Sequence, residues 1–133
     1  MFKVKAVFEN LDSVIDFIEQ SLFPYSLNPQ TLTKIKIVAE EVFTNICRHA
    51  YSPKIGFSQI RIYDDAEFIY IEFQDEGVPF NPLASETPPL SNPLSRLDEG
   101  GFGILMMKNL VFDLSYQFMN HKNILTIITK KES

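Results

Sequence analysis

An α+β fold, with helices on one face of a mostly antiparallel sheet, is what this 133-residue chain predicts, and three observations carry that expectation. Two pairs of segments alternate apolar and polar side chains with a period of two, 57–63 with 68–74 and 112–118 with 124–130. Two segments between residues 10 and 50 repeat apolar residues at helical spacing. Runs of helices and runs of strands, in place of a regular βαβ alternation, are the pattern of a two-layer sandwich.

Residues 2–8 set Phe2, Val4, Ala6 and Phe8 against Lys3, Lys5 and Val7, a strand with one buried face. Asn10 or Asp12 then caps a helix to about residue 22, with Val14, Ile15, Phe17, Ile18 and Leu22 on its apolar side and Pro24 just past its end. Asn28-Pro29 opens a second helix, because proline at the first helical position gives up only an N–H that has no helical partner there. That helix is expected to reach about residue 50 and stop before Pro53. Strands follow at 57–63 and 68–74, joined at Asp64-Asp65, with Ile60, Ile62, Ile69, Ile71 and Phe73 on one side. Residues 76–99 carry Pro79, Pro82, Pro88, Pro89 and Pro93, and so long a loop is functional or mobile. A helix resumes from 104 to about 110, and the last hairpin turns around Asn120-His121-Lys122-Asn123.

Composition narrows the function classes. The length fits one domain over residues 1–133. A formal charge of −5 argues against a nucleic-acid surface, where affinity comes from Lys and Arg neutralising phosphates. No run of about 18 apolar residues is present, so no membrane span is expected. The start, MFKVKAVFEN, lacks the pattern of a signal peptide, and a cytoplasmic location is expected. The single cysteine, Cys47, sits among apolar helical neighbours and reads as a core thiol.

Three polar stations stand out. Glu41, Asn45 and His49 climb the second helix at four-residue intervals, each offset by roughly 40° from the last, and border its apolar stripe of Ile35, Val38, Val42 and Ile46. They form either a solvated edge or a reactive one, in which Asn45 offers a hard oxygen to Mg²⁺ and Glu41 serves as a general base. Asp75-Glu76-Gly77 ends a strand, either as a plain turn or with Asp75 accepting from an exocyclic amine such as that of adenine while Gly77 lets the backbone pass close. Gly100-Gly101-Phe102-Gly103 precedes an apolar helix, either as a hinge or as a cradle of backbone N–H groups for phosphate. It fits neither the P-loop nor the dinucleotide fingerprint.

Taken together, EVFTN with HAY behind it, DEGVPF and LDEGGFGILMM resemble the N box and the two glycine boxes of the GHKL ATPase superfamily, in the branch of anti-sigma-factor serine/threonine kinases. The resemblance extends from the first strand to the last. It implies the Bergerat α/β sandwich, with ATP beneath a lid at 78–99. It implies Asn45 as the Mg²⁺ ligand, Glu41 as the base that activates an acceptor serine, and Asp75 as the adenine contact. Gly77 and Phe80 belong to the first glycine box, and Gly100, Gly101, Phe102 and Gly103 to the phosphate cradle. Arg48 and His49 are placed near the phosphates or at the helix end, Arg96 within reach of a terminal phosphate or in solvent, and Thr126 on the last strand as a support for Asp75.

The first glycine box reads Asp-x-Gly-x-x-Phe in place of the Asp-x-Gly-x-Gly of many histidine kinases, which fits the anti-sigma branch. No phospho-acceptor histidine helix is expected before the domain, and a histidine-kinase core is not expected. The implied activity is Mg²⁺- and ATP-dependent phosphorylation of a small STAS-type anti-sigma-factor antagonist, with sequestration of a partner such as a sigma factor by a homodimer. Phe23 and Tyr25 are candidates to line the dimer face. The other class open to the same motifs is a nucleotide-gated binding module without phosphotransfer.

Overall fold

The computed structural model describes residues 1–50, 56–83, 104 and 107–131. Five antiparallel strands form one sheet: β1 (Phe2–Lys5), β2 (Phe57–Asp64), β3 (Phe68–Asp75), β4 (Asp113–Met119) and β5 (Lys122–Lys130), in the order β1-β2-β3-β5-β4. Helices α1 (Leu11–Leu22) and α2 (Pro29–Asn45) cover one face, as the alternation required. Ile60, Ile69, Ile71, Phe73, Leu125 and Ile127 meet Val14, Ile18, Ile35, Val38 and Phe43 in a common core. Each such side chain contributes about 1.5–3 kcal/mol by leaving water.

Local chemistry sets the ends of the elements. Asn28 Oδ1 accepts from the backbone N–H groups of Gln30 (2.9 Å) and Thr31 (3.1 Å), capping α2 with Pro29 in its first turn. Asn10 stands at the N-cap of α1, but its side chain donates instead to Lys5 O at 3.0 Å. That carbonyl also accepts from Val7 N at 2.9 Å, so the first strand stops at Lys5 and does not reach residue 8; a short 3₁₀ turn, Phe8–Asn10, follows. Phe2 stacks on Phe17 at 4.8 Å and ties β1 to α1. Past Leu22 a 3₁₀ turn, Phe23–Tyr25, leaves Phe23 83% exposed while Tyr25 packs partly against the core.

Two departures bear on function. The α-helix ends at Asn45, and Ile46–Ala50 winds as a π turn, so the even four-residue step expected from Glu41 to His49 breaks after Asn45. In the last hairpin only Asn120 (φ 56°) and His121 (φ 63°) form the turn, both left-handed, as a two-residue turn of the I′ kind demands. β5 therefore starts at Lys122, two residues before its expected first residue, Ile124. Ile104, Met107 and the 3₁₀ turn Lys108–Leu110 fall in the helix expected over 104–110.

Candidate functional site

An open pocket lies between α2, the end of β3 and the start of the loop that follows β3. The walls are mainly apolar: Val42 and Ile46 from the helical side, Phe73 and Leu125 from the sheet, and Phe80, Pro82 and Ile104. Four polar residues also line it, Asn45, Asp75, Tyr116 and Asn123. A lining of this kind, apolar walls with a few polar groups at the edge, suits the chemistry of a flat apolar ring. Two of the three stations read from the sequence thus meet in one pocket.

Asp75 ends β3 in the buried row of the sheet and is only 6% exposed. Its Oδ1 accepts from Gly77 N at 2.9 Å, closing an Asx turn, and from Asn123 Nδ2 at 2.9 Å. The turn and a ligand contact are thus compatible at this residue, because among the described residues Oδ2 accepts no hydrogen bond and Asp75 lines the pocket. Burial pushes the carboxyl above its ordinary range, against the opposing pull of the Asn123 and Gly77 donors. A raised native pKa means that the ionised form costs stability above that pKa, a cost that disappears as pH falls below the unfolded value. Asp75→Asn keeps an acceptor for both donors and removes the buried charge, so the ligand-free fold is expected to be no less stable at neutral pH. On the expectation that Asp75 accepts from the adenine amine, the new amide would present N–H to that amine in place of an acceptor. Its preference for ATP over inosine triphosphate, which has a carbonyl at the purine 6-position, is expected to fall by about 10–100-fold, measured by calorimetric titration.

Asn45 is 3% exposed, on the face of α2 above the pocket. Its Nδ2 donates to Glu41 O at 3.0 Å and approaches Glu41 Oε1 at 3.5 Å. With the nitrogen turned back along the helix, the carboxamide oxygen is the atom that can be offered to a cation. A hard, neutral oxygen suits Mg²⁺, which commonly takes few protein ligands and fills its shell with phosphate oxygens and water. Among the described residues no group of three His, Cys, Asp or Glu could hold a metal by itself. Glu41 stands one turn earlier, half-buried and outside the pocket lining. Burial raises its carboxyl pKa, the Arg48 charge and the Asn45 contact oppose that shift, and Glu40 adds to it.

Phe80 lines the pocket, and its ring lies 4.9 Å from that of His49, tilted by 30°; His49 itself is outside the lining. Arg48 is exposed, with its guanidinium 5.7 Å from the Phe8 ring centroid, and does not line the pocket. Thr126 pairs with Glu72 and points to the opposite face of the sheet from Asp75, so the residue beside Asp75 is Asn123. Gly100, Gly101, Phe102, Gly103 and Arg96 lie outside the described residues, as do 84–99 of the expected lid. Ile104, which follows the glycine run, does line the pocket. Cys47 has its thiol pushed up to about 11 by burial, so it is protonated at neutral pH and a poor nucleophile.

Comparison with known proteins agrees with this fold. The chain belongs to the family described as "Histidine kinase-like ATPase domain", whose model matches residues 4–129. Within it, the chain is similar to "Serine-protein kinase RsbW" of Bacillus cereus (strain AH187), with 31% identity over 100 residues, 72% of this chain and 61% of that relative. It is also similar to "Serine/threonine-protein kinase BtrW" of Bordetella bronchiseptica, with 27% identity over 94 residues, 70% of this chain and 66% of that one. The chain therefore spans less than two thirds of the length of these relatives. Among solved structures, the Acinetobacter baumannii histidine kinase AdeS superposes with a TM-score of 0.56 over 98% of this chain and 68% of its own, at 14% identity, a likeness of fold. No helix among the described residues is long and apolar enough to cross a membrane.

Proposed function

We propose that the chain is an Mg²⁺- and ATP-dependent protein serine/threonine kinase of the anti-sigma type, a single domain that phosphorylates a small STAS-type antagonist. It would hold off a second partner such as a sigma factor, acting in the cytoplasm as a homodimer. The observation that carries the kinase assignment is the Glu41–Asn45 pair, one helical turn apart and joined through Asn45 Nδ2, at a pocket whose other polar end is Asp75. The printed names of the two relatives, both serine or serine/threonine kinases, support the same reaction class.

Each residue then has a defined duty. Asp75 Oδ2 accepts from the adenine amine while Phe73, Phe80 and Leu125 bound the ring, so ATP is oriented before any chemistry begins. With the base held there, the triphosphate extends toward Asn45 and Glu41. A bound Mg²⁺ would supply charge neutralisation at the phosphates, and Asn45 would hold it through its carboxamide oxygen. Glu41 takes the proton of the acceptor serine as its oxygen attacks the γ-phosphorus. The bond from that phosphorus to the β,γ-bridging oxygen breaks, and ADP leaves with the electron pair.

Incubation with γ-labelled ATP and a STAS-domain antagonist tests this directly. Label is expected on a serine or threonine of the antagonist. Nucleotide binding without such label would sink the kinase activity and leave a nucleotide-gated sequestering module.

A further inference from the structure

Asn123, on the second position of β5, uses the whole hydrogen-bonding capacity of its carboxamide. Nδ2 donates to Asp75 Oδ1 at 2.9 Å and to Val78 O at 2.9 Å, with a longer approach to Gly77 O at 3.4 Å. Oδ1 accepts from Phe80 N at 3.1 Å and from the Tyr116 hydroxyl. Two donor hydrogens and two acceptor sites are all engaged. The amide cannot be reversed, because its oxygen would then face the Asp75 carboxylate and the Val78 carbonyl.

Nothing comparable holds Asp75 from its other neighbour. Ser58, directly across on β2, is fully buried and its hydroxyl has no hydrogen-bond partner among the described residues. Among the described residues, Asn123 is thus the one side chain that grips the Asp75 carboxylate, and it grips Oδ1 alone. The same amide fixes the backbone of Val78 and Phe80, so the polar end of the pocket and the Phe80 wall are set by one group.

We propose that Asn123 is the positioning residue that sets base selectivity at this site, by holding the Asp75 carboxylate turned so that Oδ2 meets the 6-position of a purine. The inference rests on Asp75 as the base contact. An anionic Oδ2 attracts a 6-amino group and repels a 6-carbonyl. A carboxylate free to rotate, or one sharing a proton, would do neither consistently.

ATP and inosine triphosphate, titrated calorimetrically into the full chain with Mg²⁺, give the readout. The wild type is expected to bind ATP about 10–100-fold more tightly. Asn123→Asp keeps the shape but removes both N–H donors and sets a second carboxylate against the first. Two such groups share a proton, which can lie toward an amine or a carbonyl, so the ATP preference is expected to fall by about tenfold or more. Tyr116→Phe, which removes one of the two donors that orient the amide, is expected to lower the preference about two- to fivefold. A merely structural Asn123 would weaken both ligands equally. An unchanged preference in folded Asn123→Asp overturns the proposal, and if that variant does not fold, an unchanged preference in Tyr116→Phe does. Equal binding of the two nucleotides by the wild type would instead overturn Asp75 as the base contact.

Discussion

Substitution of Glu41 by Gln is expected to slow phosphoryl transfer to a serine acceptor by about 10²–10⁴-fold while leaving ATP affinity within about threefold. The split follows from where the side chain sits. Glu41 is on α2 one turn before Asn45, outside the lining of the pocket, so it contributes little to holding the nucleotide. Glutamine keeps the size of the side chain and its approach to Asn45 Nδ2, at 3.5 Å in the wild type, but cannot accept the serine proton. Burial raises the Glu41 pKa, which makes the ionised form a stronger base than an exposed glutamate. Since only the ionised form can act, the acid limb of the wild-type rate should lie above the ordinary glutamate range and vanish in the variant. Initial rates with labelled ATP across that range, with affinities from calorimetry, decide the matter. Equal rates for Glu41→Gln and wild type would remove Glu41 from the chemistry.

How far the site could be read in advance depended on whether local periodicity survives to the residue concerned. β2 and β3 keep strict alternation, so Ile60, Ile62, Ile69, Ile71 and Phe73 fall on one face as their spacing required, and Asp75 follows in the same row. The Asn28 cap with Pro29 was equally plain, because both residues act through bonds within one turn. The last hairpin was not. Its turn residues, Asn120 and His121, both have positive φ, and Asn-His lacks the glycine that usually announces such a turn. A four-residue turn left Asn123 in the loop, and the family resemblance implied Thr126 as the support for Asp75. Those two residues differ by three positions, an odd number, which in a strand means opposite faces. The usable signal was the polar Asn123 between Tyr116, Phe118 and Leu125, once a two-residue turn is allowed. The π turn at Ile46–Ala50 was hidden for a different reason: its residues are ordinary helix formers, so nothing in ICRHA marks the change of pitch that separates Arg48 and His49 from the line of Glu41 and Asn45.

Asn45→Ala is expected to abolish the Mg²⁺-dependent part of ATP affinity, a loss of about 100-fold or more, exceeding the roughly 10–100-fold typical when an outer-shell partner of a metal is removed. The side chain is nearly enclosed, and its nitrogen is committed to Glu41 O, so the oxygen is the group lost. Alanine is a good helix former and leaves the α2 backbone bonds intact, so the fold should survive, as circular dichroism can verify. Asn45→Asp retains an oxygen ligand and should keep part of the metal dependence. Titration with ATP in Mg²⁺ and in EDTA gives the comparison: the alanine variant should show the same weak affinity in both, and a preserved gap between them would reject Asn45 as the ligand. The two polar ends of the pocket make a sharper demand. Asp75 and its Asn123 support are anchored on β3 and β5, whereas Asn45 hangs from α2, and no hydrogen bond joins the two sets among the described residues. Base preference and metal dependence should therefore be separable, so that Asn45→Ala in EDTA still favours ATP over inosine triphosphate by the wild-type ratio, although it binds both weakly.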